Sequence, residues 1–317
     1  MVVSNKHSER YSVTKISLFC TMVLSQPLIQ ALETAIRAID AGDFRIQSIV
    51  PVHGGDINRA FRLETMRRRY FVKTNEAPAA LTMFLGESDG LERILKATAP
   101  AHAPRPFMAG HAAGEAFLLM TWIEAGNKQQ PGAQEALGRL LATLHQNRAH
   151  RFGFKHDNYI GTLAQSNATA ADWTAFFIEQ RLKKQLALAR HRLEGTGLLA
   201  RFDQLFARLA DLYPEERPSL VHGDLWSGNY LVDTACQPVL IDPAIYYGHR
   251  EVDIAMTRLF GGFSERFYAA YHEVLPLETG WEHRVALWNL YPLLVHLNLF
   301  GEAYIPPLTQ ALSNYLQ

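Results

Sequence analysis

The sequence has little of what marks several common protein classes. Its only cysteines are Cys20 and Cys236. Two thiols so far apart make neither a disulfide framework nor a metal-ligand spacing, which fits a reducing, cytoplasmic compartment. Neither sign of charge is in excess: 31 basic and 31 acidic residues give a formal net charge of zero. No global field therefore draws the chain to nucleic acid or to an anionic membrane surface. The tight basic run Arg67–Arg69 reads as a solvated hairpin turn. Long apolar runs are missing too, and none reaches the roughly 18 residues expected of a membrane span. There is no internal repeat and no low-complexity segment.

What is present is a globular composition, 48% hydrophobic and 20% charged over 317 residues. That length allows two lobes with a substantial core. Residues 1–21 differ from the rest and lack a signal-peptide cleavage site, so they read as a disordered leader. Nothing demands more than a monomer.

From residue 22 to about 123 the pattern is β-rich. Leu28, Leu32, Ile36 and Ile39 mark one face of a first helix. Strand-like runs follow at 47–52, 57–64 and 70–73, the first two joined by His53-Gly54-Gly55-Asp56. Lys73 closes the third run. A helical stretch over about 79–98 contains Glu87, with Gly86 and Gly90 as poor helix formers that blur its bounds. Pro100, Pro104 and Pro106 read as a loop, and 115–123 as a buried strand. From 124 to 317 the pattern is mostly helical, with three short strand-like runs at 219–222, 229–232 and 238–242.

Those short runs frame the chemistry. V-H-G-D-L-W-S-G-N (Val221–Asn229) puts His222, Asp224 and Asn229 in one turn, and V-L-I-D brings a second acid, Asp242. Phosphoryl transfer needs an acceptor-orienting carboxylate and oxygen ligands for Mg2+, a hard cation. Asp224 suits the first role; Asn229 and Asp242 suit the second. His222 reads as a packing and hydrogen-bonding residue. In the β-rich half, Gly54 and Gly55 let backbone N–H groups approach phosphates, Lys73 reaches the nucleotide, and Glu87 fixes Lys73. A glycine pair alone is usually only a turn, and a strand-terminal lysine is usually only exposed. Their order along the chain is what predicts an α+β, bilobal, protein-kinase-like fold.

The chain also resembles the fructosamine kinase (ketosamine-3-kinase) family, near the aminoglycoside phosphotransferases. The resemblance rests on H-G-D-L-W-S-G-N (His222–Asn229), D-P-A (Asp242–Ala244), Y-Y-G-H-R-E-V-D-I-A-M-T (Tyr246–Thr257), L-F-G-G-F (Leu259–Phe263) and H-L-N-L-F-G (His296–Gly301). G-G-D-I-N-R-A-F (Gly54–Phe61), F-V-K-T-N (Phe71–Asn75) and M-F-L-G-E-S-D-G-L (Met83–Leu91) add to it. It implies ATP- and Mg2+-dependent phosphorylation of the 3-hydroxyl of a ketosamine, small or protein-bound, with release of the amine. By the match, Asp224 is the base, Asn229 and Asp242 are metal ligands, and Lys73 and Glu87 form the nucleotide-side pair. Backbone groups at Met120, Thr121 and Trp122 would hold adenine.

Substrate contacts are expected from Trp226, His249, Arg250, His296 and Asn298. Core packing is the competing reading for Trp226 and for His296. Asp253 is expected to brace the catalytic loop. Some members of the family carry a cysteine in the glycine-rich turn; here Asp56 follows the glycines, so no thiol switch is expected there. The competing functions are another small-molecule kinase, of aminoglycoside or choline type, and a nucleotide-binding pseudokinase.

Overall fold

The computed structural model describes residues 24–40, 45–54, 57–98 and 101–316. The expectations for residues 1–21 and for Gly55 lie outside the described residues.

Helix α1 (Gln26–Ile39) starts at Ser25, whose hydroxyl accepts from the Leu28 N–H, and carries a proline in its first turn. Its apolar stripe, Leu28, Leu32, Ala35 and Ile36, is buried. Strands β1 (Ser48–Val52), β2 (Arg59–Glu64) and β3 (Arg69–Asn75) follow. Then come α2 (Ala80–Ala97), β4 (Pro106–Ala112) and β5 (Glu115–Thr121). The five strands form one antiparallel sheet in the order β1-β2-β3-β5-β4. The segment read as a proline loop therefore ends in a strand. It is an edge strand, where a missing N–H costs no ladder bond, and Pro106 opens it at a register shift.

Past Thr121 the chain is mainly helical. Helix α3 (Ala133–His145) precedes a small hairpin, β6 (Asn158–Ile160) and β7 (Leu163–Gln165). Helix α4 (Trp173–Phe176) passes through a π-helical turn at Phe177–Leu182 into α5 (Lys183–Leu193), and α6 (Leu198–Arg208) follows. Next are β8 (Ser219–Val221), β9 (Tyr230–Val232), β10 (Pro238–Leu240) and β11 (Tyr246–Gly248). They pair antiparallel as β9 with β10 and β8 with β11. Helices α7 (Glu251–Leu259), α8 (Glu265–Val274), α9 (Trp281–Trp288), α10 (Leu290–Phe300) and α11 (Ile305–Ser313) complete the chain. No helix among the described residues is long and apolar enough to cross a membrane.

Two cores result. One lies between α1 and the outer face of the sheet, with Leu28, Leu32, Phe61, Leu63, Val72 and Leu119 buried in it. The other runs from the inner face of the sheet through α2 into the helical lobe. It takes in Phe84, Ile94, Leu118 and Met120 together with Leu141, Phe176, Leu225 and Trp288.

Candidate active site

Alternation along β3 decides where Lys73 points. Tyr70 and Val72 enter the core under α1, so Phe71 and Lys73 face the other way. There Lys73 Nζ lies 2.7 Å from Glu87 Oε1 and 2.6 Å from Asp242 Oδ1. Residues from a strand, a helix and a distant loop thus meet at one ammonium. Burial disfavours the charge on Lys73, but Asp242 and then Glu87 outweigh it and hold its pKa above the ordinary lysine value. Burial, helped by Asp242, pushes the Glu87 carboxyl up, against the pull of Lys73.

Helix α2 delivers Glu87 unbroken through both of its glycines. Close packing explains them. A Cβ at Gly90 would stand 3.0 Å from Pro243 Cγ, and one at Gly86 would stand 3.3 Å from Asn158 Cβ. Helix α2 therefore rests directly on the segment that follows Asp242.

The polar turn lies between β8 and β9. Asn229 Nδ2 donates to the Asp224 carbonyl at 2.8 Å and to Asp224 Oδ2 at 2.9 Å. That fixes the Asp224 carboxylate and turns the amide oxygen of Asn229 away from it. Burial above all, and then the charge of Asp242, raise the Asp224 pKa to about 7, with the Asn229 bond opposing them. Asp224 is thus near the balance point of a general base at neutral pH.

His222 is fully buried. Its Nε2 bonds the Ile241 carbonyl at 3.0 Å, and its Nδ1 accepts the Asp224 N–H at 3.3 Å. That pattern fits a neutral ring, and burial lowers its pKa.

Asp253, on α7, clamps the turn from beneath. It accepts the His222 N–H at 2.6 Å, the Gly223 N–H at 2.9 Å and His145 Nε2 at 3.0 Å. Gly223 has φ +82°, and a Cβ there would fall 2.1 Å from the Ala244 carbonyl oxygen. No other residue fits.

Asp242 holds a left-handed φ of +54°, a conformation a carboxylate adopts at a cost. The chain after it is tied down by side chains. Asn158 Nδ2 donates to the Ile245 carbonyl at 2.8 Å, and Gln165 Nε2 donates to the Ala244 carbonyl at 3.0 Å. Tyr291 donates to Gln165 Oε1 at 2.8 Å. The Asp242 side chain keeps 44% exposure, so its second oxygen can serve a ligand. Among the described residues no three His, Cys, Asp or Glu side chains gather as a metal cage. The donors present are one carboxylate and one amide oxygen, the sparse hard set that suits Mg2+ shared with phosphates.

The remaining predicted residues are scattered. Trp226 is exposed beside Asp224, its ring folded over Gly228, where a Cβ would lie 2.2 Å from it. Met120 is buried in β5, and Thr121 bonds the Arg105 backbone through its N–H and its hydroxyl. The Trp122 ring lies beside Phe71 and under the Arg62 guanidinium. Gly54 is exposed, at φ +128°.

His249 and Arg250 sit in the interior of the helical lobe. The His249 ring stacks on Trp288 at 5.0 Å and bonds the Pro214 carbonyl. Arg250 is spent on Glu216 and on the Leu275 and Pro276 carbonyls. Asn298 Nδ2 is taken by Gln185. The His296 ring lies among Phe260, Phe300 and Tyr304, with Nδ1 bonded to the Pro292 carbonyl. The supporting residues His145, Asn158 and Gln165 carry no motif that would have marked them in the sequence.

The fructosamine kinase family model matches residues 28–317. The chain belongs to the fructosamine kinase family. A "probable ketoamine kinase" of Enterococcus faecium is 42% identical over 272 residues, spanning 84% of this chain and 95% of that protein. The chloroplastic protein-ribulosamine 3-kinase of Arabidopsis thaliana is 39% identical over 280 residues, 86% of this chain and 84% of that one. A crystal structure from Thermobifida fusca, assigned to fructosamine-3-kinase, superposes with a TM-score of 0.79 at 33% identity, covering 89% of this chain and 98% of that one. The aminoglycoside phosphotransferase APH(4)-Ia shares the fold alone, with a TM-score of 0.60 at 13% identity over 90% of this chain and 96% of that one. This fructosamine kinase family member thus has a kinase-like, α+β architecture.

Proposed function

We propose that the protein is a ketosamine 3-kinase. It transfers the γ-phosphoryl group of ATP to the 3-hydroxyl of a sugar joined to an amine, leaving ADP and a ketosamine 3-phosphate from which the amine is freed. The observation that carries this reading is the pairing of a carboxylate held by Asn229, Asp224, with the Lys73–Glu87–Asp242 cluster. The relatives named ketoamine kinase and protein-ribulosamine 3-kinase support the substrate class.

In this reading Asp224 accepts the hydrogen bond of the attacking hydroxyl and takes its proton as the O–P bond forms. Asn229 holds Asp224 in place. Lys73 meets the nucleotide phosphates and Glu87 steadies it. Asn229 and Asp242 would hold Mg2+, which neutralises phosphate charge. Backbone groups at Met120–Trp122 would receive adenine, and Gly54 and Gly55 would lie over the phosphates. Trp226, exposed beside Asp224, offers its ring to the sugar or to the group on nitrogen. His296 and Asn298 are further substrate-side candidates. The substrate reading does not extend to His249 and Arg250, whose polar groups are already engaged within the fold.

The test is ATP consumption with Mg2+ on ribulose-lysine, fructose-lysine, an aminoglycoside and choline. Turnover on a ketosamine is expected. Turnover only on the aminoglycoside or choline would move the protein to another small-molecule kinase class. ATP binding without turnover on any of the four would favour the pseudokinase reading.

A further inference from the structure

On the side of α2 away from Lys73 there is a cavity of about 350 Å³. Its walls come from α2, from the loop over 149–155, from Thr169 and from β11. Five basic side chains line it: Arg93, Lys96, His150, Arg151 and Lys155. One acid, Asp89, faces them; its Oδ1 is engaged by Lys155 at 2.7 Å, while its Oδ2 is buried without a hydrogen-bond partner among the described residues. Lys96 has a long contact to Glu92. The two arginines have no carboxylate partner among the described residues. Arg93 donates to the Tyr247 hydroxyl at 2.6 Å, and Arg151 makes only long bonds to Thr169. The chain as a whole carries no net charge, so this concentration of one sign is local. The aromatic rings of Phe154 and Tyr247 complete the lining.

We propose that this cavity binds a small phosphate-bearing anion. Concave walls from separate elements bring several cations to one point, which raises the local potential far above that of a flat basic surface. Two guanidinium groups without carboxylates match the paired oxygens of a phosphate group. The size is at the lower end of the small-ligand range, larger than a bare ion needs. The room beside Phe154 and Tyr247 suits the sugar of a sugar phosphate. Neither Asp224 nor Lys73 contributes to the lining, so the site is independent of the phosphoryl-transfer reading.

The experiment is calorimetric titration of the full chain with inorganic phosphate and, separately, with ribose 5-phosphate. Saturating Mg2+ and a non-hydrolysable ATP analogue keep the probes out of the nucleotide site. Wild-type protein is expected to bind both. Arg93→Gln combined with Arg151→Gln should weaken both by about tenfold or more, two charge-assisted contacts being lost, with the thermal midpoint unchanged because both side chains are exposed. Lys184→Gln, at an exposed lysine outside the cavity, should bind as wild type does. Tighter binding of ribose 5-phosphate than of phosphate would assign the aromatic walls to the sugar. No uptake of either probe by wild type would overturn the proposal, and so would equal affinity in wild type and the double variant.

Discussion

Val72 and Lys73 are neighbours in sequence and belong to different parts of the molecule. Val72 points outward, into a core closed between α1 and the sheet with Leu63 and Leu119. Lys73 points inward, toward Glu87 and Asp242. The same alternation divides β5, where Leu119 joins the outer core and Leu118 and Met120 join the large one. Helix α2 sides with the inner face, and Gly90 seats it on Pro243. Lys73 is therefore packed with the helical lobe that carries Asp242. The outer core supports the sheet from behind. Substitutions on the two faces should separate catalysis from stability.

The largest effect is expected at the centre of the inner side. Asp224→Asn keeps the shape and removes the proposed base, so kcat should fall by about 10³-fold or more while nucleotide binding survives. The same change should stabilise the fold above neutrality. The folded pKa of about 7 lies above the ordinary aspartate value, so the cost of ionising the buried carboxylate builds up as pH rises from the ordinary aspartate range to about 7 and is complete above it. After discounting for partial exposure, the gain at pH 8 should be on the order of 1–2 kcal/mol, read from denaturant melts. For wild type the sign of the activity profile follows, with kcat falling as pH drops below about 7. A flat profile from pH 5 to 8 would remove Asp224 as the base.

Lys73→Met should come next, lowering kcat/KM for ATP by about 10²-fold. It also leaves Glu87 and Asp242 facing each other without their cation. Unchanged kinetics would dissolve the Lys73–Glu87 assignment. Gly90→Val should then lower kcat by about tenfold, since a 1 Å displacement of a positioning element is costly. Its effect on activity should exceed what its melting temperature predicts. Leu63→Ala, on the outer face, should do the reverse. It should cost about 2–4 kcal/mol in denaturant melts, while kcat well below the melting temperature stays within about twofold of wild type. Equal loss of kcat in Leu63→Ala and Gly90→Val would erase the distinction between the two faces.

Much of this was legible in the sequence because it is local or ordered along the chain. The H-x-D-x4-N turn, the later Asp242, Lys73 late in an apolar strand and Glu87 on the next helix are each ordinary taken alone, but they fall in one telling order along the chain. The two-lobed, kinase-like fold followed from their order. Other features were not legible, because they depend on contacts distant in sequence. Gly86 and Gly90 look like helix breakers until Asn158 and Pro243 are seen against them. Pro106 looks like a loop until its strand proves to be an edge. His145 reads as the end of an apolar helix, yet it is the partner of Asp253. Arg250 lies in a motif close to the Asp242 segment, which suggested a substrate role, but Glu216 claims its guanidinium in the interior.

The most direct measurement is the position of the phosphate on the product. Ribulose-lysine or fructose-lysine would be incubated with ATP, Mg2+ and either wild-type or Asp224→Asn protein, and the sugar carbons and phosphorus followed by NMR. Phosphate on O3 with wild type, and none with Asp224→Asn, is the predicted result. Phosphate on another hydroxyl, or O3 phosphorylation that persists at the wild-type rate in Asp224→Asn, would contradict the account.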